Sequence, residues 1–209
     1  MNLTQLLEPS SRFADELASL AAAKPGQAPP HVQAALDEAR LALEHWRCIG
    51  GLLEQGSLPS ALAVQLAQID SLARALWVRH VATEEQARDF ALHLSLTPDQ
   101  GQAASTPDLT AMMEQLKSSA VKSRYYIVSG AREARWTYSR REIHQDWRSK
   151  ALIENLGSAV LFNSNAVGAL AGMMAIECIK GNSQDARAVI AHYSAYLAPH
   201  AFDLMTRDD

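Results

Sequence analysis

Residues 155–176 read NLGSAVLFNSNAVGALAGMMAI, 22 residues without a charged side chain, closed off by Glu154 and Glu177. At ~1.5 Å per residue a helix of this length reaches ~33 Å, enough to cross a bilayer. Its centre argues for a different solvent. Asn163, Ser164 and Asn165 stand together in the middle, with Asn155 and Ser158 nearby. Asparagine is costly at the centre of a bilayer but can find partners inside a protein. Gly168 and Gly172 are four apart, a spacing that lets helices approach closely, and Gly157, Ala159, Ala166, Ala169 and Ala175 add further small surfaces. The segment therefore reads as a buried central helix, whole or as two pieces broken near Asn163, with neighbouring backbones drawn close at its glycines. Membrane association through 155–176, flanked by Arg148, Lys150 and Lys180, is the alternative.

Working outward, the rest of the chain supplies helices to cover that centre. Val32, Leu36, Ala39, Leu43, Trp46 and Leu53 keep three-and-four spacing within 31–55, and Gly56 is a natural stop. Leu62, Leu66, Ile69, Ala73, Leu76 and His80 do the same within 60–82. Thr83 with Gln86 forms a capping box that opens a helix to about Leu94. Thr106 before Pro107 reads as an N-cap followed by a proline at the first helical position. Ser183 opens the last helix, which runs to about Leu197 and is ended by Pro199. The β-prone quartet Tyr125-Tyr126-Ile127-Val128 is read as helical because the flanking pattern continues through it. The expectation is one all-α domain over 1–209. It is a helical bundle of about six or seven helices around a central uncharged helix, with a linker near 24–30 and a long loop near 97–107.

Composition agrees with a globular chain. Hydrophobic residues make up 48% and charged residues 20% of the 209, and the pI is near 6.0. Cys48 and Cys178 are 130 residues apart and form no CxxC pair, so both read as reduced core residues. Asp15 and Glu16 precede the apolar run Leu17–Ala23, where a secretory signal carries Lys or Arg. The expected location is cytoplasmic, with secretion by a route lacking such a signal left open.

Charge is distributed unevenly. Between 117 and 150 nine basic residues face three acidic ones, a net +6 in a chain of net −4. Five of the chain's 13 aromatics, Tyr125, Tyr126, Trp136, Tyr138 and Trp147, fall in the same window. Val121, Tyr125, Val128, Arg132, Trp136, Ser139, Ile143 and Trp147 alternate steps of four and three, which places them on one face of a single long helix. The stripe itself reads mainly as core, flanked by solvated arginines. The candidate partner-binding residues are Lys117, Lys122, Arg124, Arg132, Arg135, Tyr138, Arg140, Arg141, Arg148 and Lys150. Guanidinium groups beside flat rings suit acidic grooves on a protein, and also phosphates and stacked bases.

Recognisable catalytic chemistry is missing from the sequence. There is no P-loop, GxGxxG, GxSxG or HExxH, and no Glu-x-x-His pair for a di-iron bundle. Glu142, His144 and Asp146 are close in sequence, but on a helix only Glu142 and Asp146 share a face, so a metal site is not expected. His45 and Cys48 are three apart, yet Trp46 and Ile49 suggest packing there. The expected function is non-enzymatic, without cofactor or metal. The chain reads as a helical interaction protein, such as an adaptor, regulator, immunity protein or secreted effector, presenting 117–150 to a protein partner. A nucleic-acid-associated factor binding phosphate backbone through the same helix is the runner-up.

Overall fold

The computed structural model describes residues 1–95, 106–139, 149–197 and 199–206, with side-chain surroundings for 1–92, 106–134, 149–197 and 200–205. Among these, nine α-helices and one 3₁₀ turn, Ser194–Tyr196, make an all-α bundle with no strand. In chain order they are α1 (Leu3–Ala21), α2 (Pro30–Glu54), α3 (Leu58–His80), α4 (Glu84–Ser95), α5 (Leu109–Lys117), α6 (Lys122–Ser139), α7 (Lys150–Lys180), α8 (Gln184–His192) and α9 (Pro199–Thr206). The helices beyond the expected six or seven are short pieces and α1.

The uncharged segment lies within α7, which runs through Asn163 without a break and closes on Gly181 in the left-handed conformation at φ 76°. It is long and apolar enough to cross a membrane, and its most apolar window is 83% buried inside the bundle. Helices α1, α2 and α3 pack along it, and α6, α8 and α9 also touch it. Helix α1 went unread in the sequence. Asn2 and Gln5 form a capping box at its start, and its last turn is held by Arg40, whose guanidinium donates to the Ala21 and Ala23 carbonyls.

Two apolar clusters fill the interior. The smaller gathers Leu6, Ile49, Leu58, Leu62, Val160 and Leu161. The larger gathers Phe13, Trp46, Ile69, Trp77, Val167 and Leu170, among others. Between them lies a polar layer, which explains Asn165 and Ser164 of α7. Asn165 Oδ1 accepts from Trp46 Nε1 at 2.9 Å, while its Nδ2 donates to Ser10 Oγ and to the Tyr196 carbonyl, each at 2.9 Å. Gln65 Nε2 donates to the Val160 carbonyl at 3.0 Å and to Ser164 Oγ at 3.2 Å, and Gln68 Nε2 donates to the Ser164 carbonyl at 3.0 Å. A buried amide is stable when its donors and acceptors are used, and α1, α2 and the 3₁₀ turn supply those partners for Asn165, whereas Gln68 Oε1 is buried with no hydrogen-bond partner among the described residues.

The glycines of α7 do a different job from the one expected. They make room for side chains rather than for a neighbouring backbone. A Cβ built on Gly168 would lie 2.1 Å from the Trp46 ring, one on Gly172 2.9 Å from Leu17 Cδ1, and one on Gly157 2.9 Å from Leu3 Cδ2. The Trp46 indole is therefore laid flat in the space where Gly168 has no side chain, and Phe13 packs edge-on against it at 4.9 Å.

Other expectations need correction. Helix α5 is capped by Asp108, whose Oδ1 accepts from Ala111 N at 2.8 Å, so Thr106 lies outside the helix. Pro199 starts α9 instead of ending the preceding helix, because proline fits the first helical turn and the chain has already turned through Ser194–Tyr196. Cys178 is buried, but Cys48 is exposed on the outer side of α2. The Thr83–Gln86 capping box is present in both directions, at 3.0 and 3.2 Å. The expected long loop falls largely at 96–105, outside the described residues.

One buried charge gives a pH prediction. Glu38 on α2 is almost wholly buried, and burial raises its carboxyl above the usual range, against the lowering influence of Arg74 and Ser71 on α3. Its nearest ion-pair contact is Arg74 Nη1 at 3.8 Å. The native state thus holds this proton more tightly than the unfolded chain, so the group's contribution to stability is lost as pH rises through its raised range. Glu38→Gln is expected to melt above wild type at pH 8, with the gap closing towards pH 4. Equal melting curves across that range would contradict the assignment.

Candidate interaction site

The basic window does not form one helix. Lys117 ends α5, residues 118–121 turn, and Lys122 begins α6. The turn is fixed by Ser119, whose Oγ donates to the Leu116 carbonyl and accepts from Val121 N. The stripe that starts at Val121 follows α6 as far as Ser139, and its remainder, Ile143 and Trp147, lies outside the described residues. Its first part behaves as core: Val128 is buried and Tyr125 is half-buried against the larger cluster.

The predicted binding residues separate into groups. Lys117, Lys122 and Lys150 are exposed, and Arg132 is half-buried. Arg124 is engaged within the bundle, donating from Nη1 and Nη2 to Glu177 Oε2 and Oε1 of α7 at 2.8 and 2.9 Å. This pair is mostly shielded from solvent, and it pins α6 to the C-terminal end of α7. Arg135 and Tyr138 lie on α6, with side chains outside the described set, while Arg140, Arg141 and Arg148 lie outside the described residues altogether. So do Trp147 and the Glu142, His144 and Asp146 cluster.

Sequence reading missed the outward position of Tyr126. Its side chain is 54% exposed, one helical turn after Lys122, and its ring meets that of Tyr125 edge-on at 5.5 Å. Gly130, one turn further, is exposed and has nothing within 4 Å of where a Cβ would stand. The outer face of α6 is thus a lysine, a presented ring and a flat step. The i, i+4, i+8 spacing is legible in the sequence, but only the buried Ile127 and Val128 show which side of the helix faces out.

A second feature stands at the same end of the bundle. The ends of α3 and α7 and the start of α8 line an open surface cavity of about 420 Å³, bordered by Arg79, Glu177, Gly181, Asn182, Ser183, Gln184 and Arg187. His80 Nε2 lies 3.5 Å from Arg124 Nη1. Crowding by protein, then the charges of Arg124 and Arg79, push His80 down to about 4, and Glu177 opposes them. Burial pushes the neighbouring Cys178 thiol up, which disfavours a thiolate there. Among the described residues no three His, Cys, Asp or Glu side chains gather as metal ligands.

A family model described as a family of unknown function (DUF6988) matches residues 39–199, and at that coverage the chain belongs to this family. The match begins within α2 and reaches the first residue of α9, leaving α1 outside it. No curated protein and no solved structure matches the chain.

Proposed function

We propose that this family member is a non-enzymatic helical binding protein that docks an acidic surface of a protein partner on the outer face of α5 and α6. The observation that supports it is the Lys122–Tyr126 pair on α6, both side chains exposed and one turn apart, with Lys117 exposed at the end of α5. Neither lysine has an ion-pair partner among the described residues. An exposed tyrosine braced by a half-buried one offers contact area with little rotamer entropy to lose, and flanking lysines steer an acidic partner.

The test is a pull-down with wild type and the triple variant Lys117→Glu, Lys122→Glu, Tyr126→Ala, each sample divided with and without nuclease. The variant is expected to melt within about 1–2 °C of wild type, since surface substitutions change stability little. It is expected to lose the partner, and nuclease is expected to leave wild-type capture intact. Unchanged capture by the variant would contradict the proposal. Capture abolished by nuclease, with binding that collapses by orders of magnitude between ~50 and ~200 mM salt, would favour a nucleic-acid partner instead.

A further inference from the structure

We infer that the cavity between α3, α7 and α8 is a binding site for a small phosphate-type oxyanion, with Ser183, the first turn of α8, Arg79 and Arg187 as its recognition groups. This stands apart from the α5–α6 surface and does not depend on it.

Three observations converge. Ser183 occupies the N-cap position of α8, yet its side chain makes no cap hydrogen bond. It is only 7% exposed and lines the cavity. With no hydrogen-bond partner among the described residues, this serine hydroxyl is available to donate into the cavity. Next, the first turn of α8 leaves donors free. Arg187 N donates to the Ser183 carbonyl, and Gln184 N donates to Asn182 Oδ1 at 3.2 Å. The N–H groups of Asp185 and Ala186 are then the uncapped ones, at the positive end of a nine-residue helix. Last, Arg79 from α3 and Arg187 from α8 line the same space.

Glu177 and Asp185 are already engaged by other cations. Both oxygens of Glu177 are taken by Arg124, and Asp185 is paired with Lys180. The three terminal oxygens of a phosphomonoester match a hydroxyl, backbone N–H groups and guanidinium forks. The left-handed Gly181 at φ 76° ends α7 and turns the chain towards α8, and it lines the cavity between them.

The experiment is an amide NMR titration of the full chain with inorganic phosphate and, in a second arm, with phosphoserine, at constant ionic strength set by chloride. The expected result is saturable shifts centred on the amides of residues 183–186. Tighter binding of phosphoserine would identify an organic phosphate as the ligand, and tighter binding of inorganic phosphate the free ion. Ser183→Ala and Arg79→Gln are each expected to weaken binding roughly tenfold. Shifts that do not saturate, that match those of added chloride, or that centre elsewhere would overturn the inference. That wild-type result decides even where a variant fails to fold. If both variants are folded and bind like wild type, the assignment of groups is overturned.

Discussion

Replacing Gly168 with alanine is expected to destabilise the protein by roughly 3 kcal/mol, at the upper end of what overpacking a core costs. The new Cβ would sit 2.1 Å from the Trp46 ring. The indole cannot retreat easily, because Asn165 Oδ1 holds its Nε1 and Phe13 abuts its face. Gly172→Ala should cost less, since the nearest atom there is the Cδ1 methyl at the flexible end of Leu17, 2.9 Å away. Gly130→Ala is the control. That glycine is helical and open to solvent, so alanine should stabilise by up to ~1 kcal/mol. Thermal melts of the three variants check the order. A Gly168→Ala protein as stable as wild type would mean that Trp46 does not lie where α7 lacks a side chain.

Asn165→Leu is expected to cost roughly 4 kcal/mol, a fall of about 10 °C in melting temperature for a chain of this size. The side chain joins three elements, accepting from Trp46 of α2 and donating to Ser10 of α1 and to the Tyr196 carbonyl of the 3₁₀ turn. Leucine would leave each of these without its partner in a site that is fully buried. A buried polar group stripped of its partner costs ~1–3 kcal/mol. Ser10→Ala, which removes one edge of the network, should cost only about 1 kcal/mol. If Asn165→Leu matched wild type in a denaturant melt, the polar layer would not be holding the helices together.

The contrast between these two sites shows how far the sequence could be read. The 22 uncharged residues announced a central helix, and three consecutive polar residues announced that it had protein around it. Caps and breakers placed α2, α3 and α4 to within a few residues, because those signals are local. What Gly168 faces was not legible, since a GxxxG spacing fits a backbone or an indole equally well. The same holds for Pro199, which stops one helix and starts another with the same ring. At the candidate site, charge clustering pointed to the right part of the chain. It could not tell Arg124, committed to Glu177, from Lys122, which is exposed. Nor could it register the cavity, whose arginines come from α3 and α8, more than 100 residues apart. That juxtaposition arises only once α7 brings its C-terminal end between them.

Helix α7 forms the interior of the bundle, and hydrogen exchange on the full chain measures that most directly. The amides of residues 160–176 are expected to exchange only through global unfolding, slower than those of α5 and α8, in buffer without lipid or detergent. Rapid exchange of that segment in buffer, with protection appearing only when vesicles are added, would contradict a core helix and return 155–176 to the membrane.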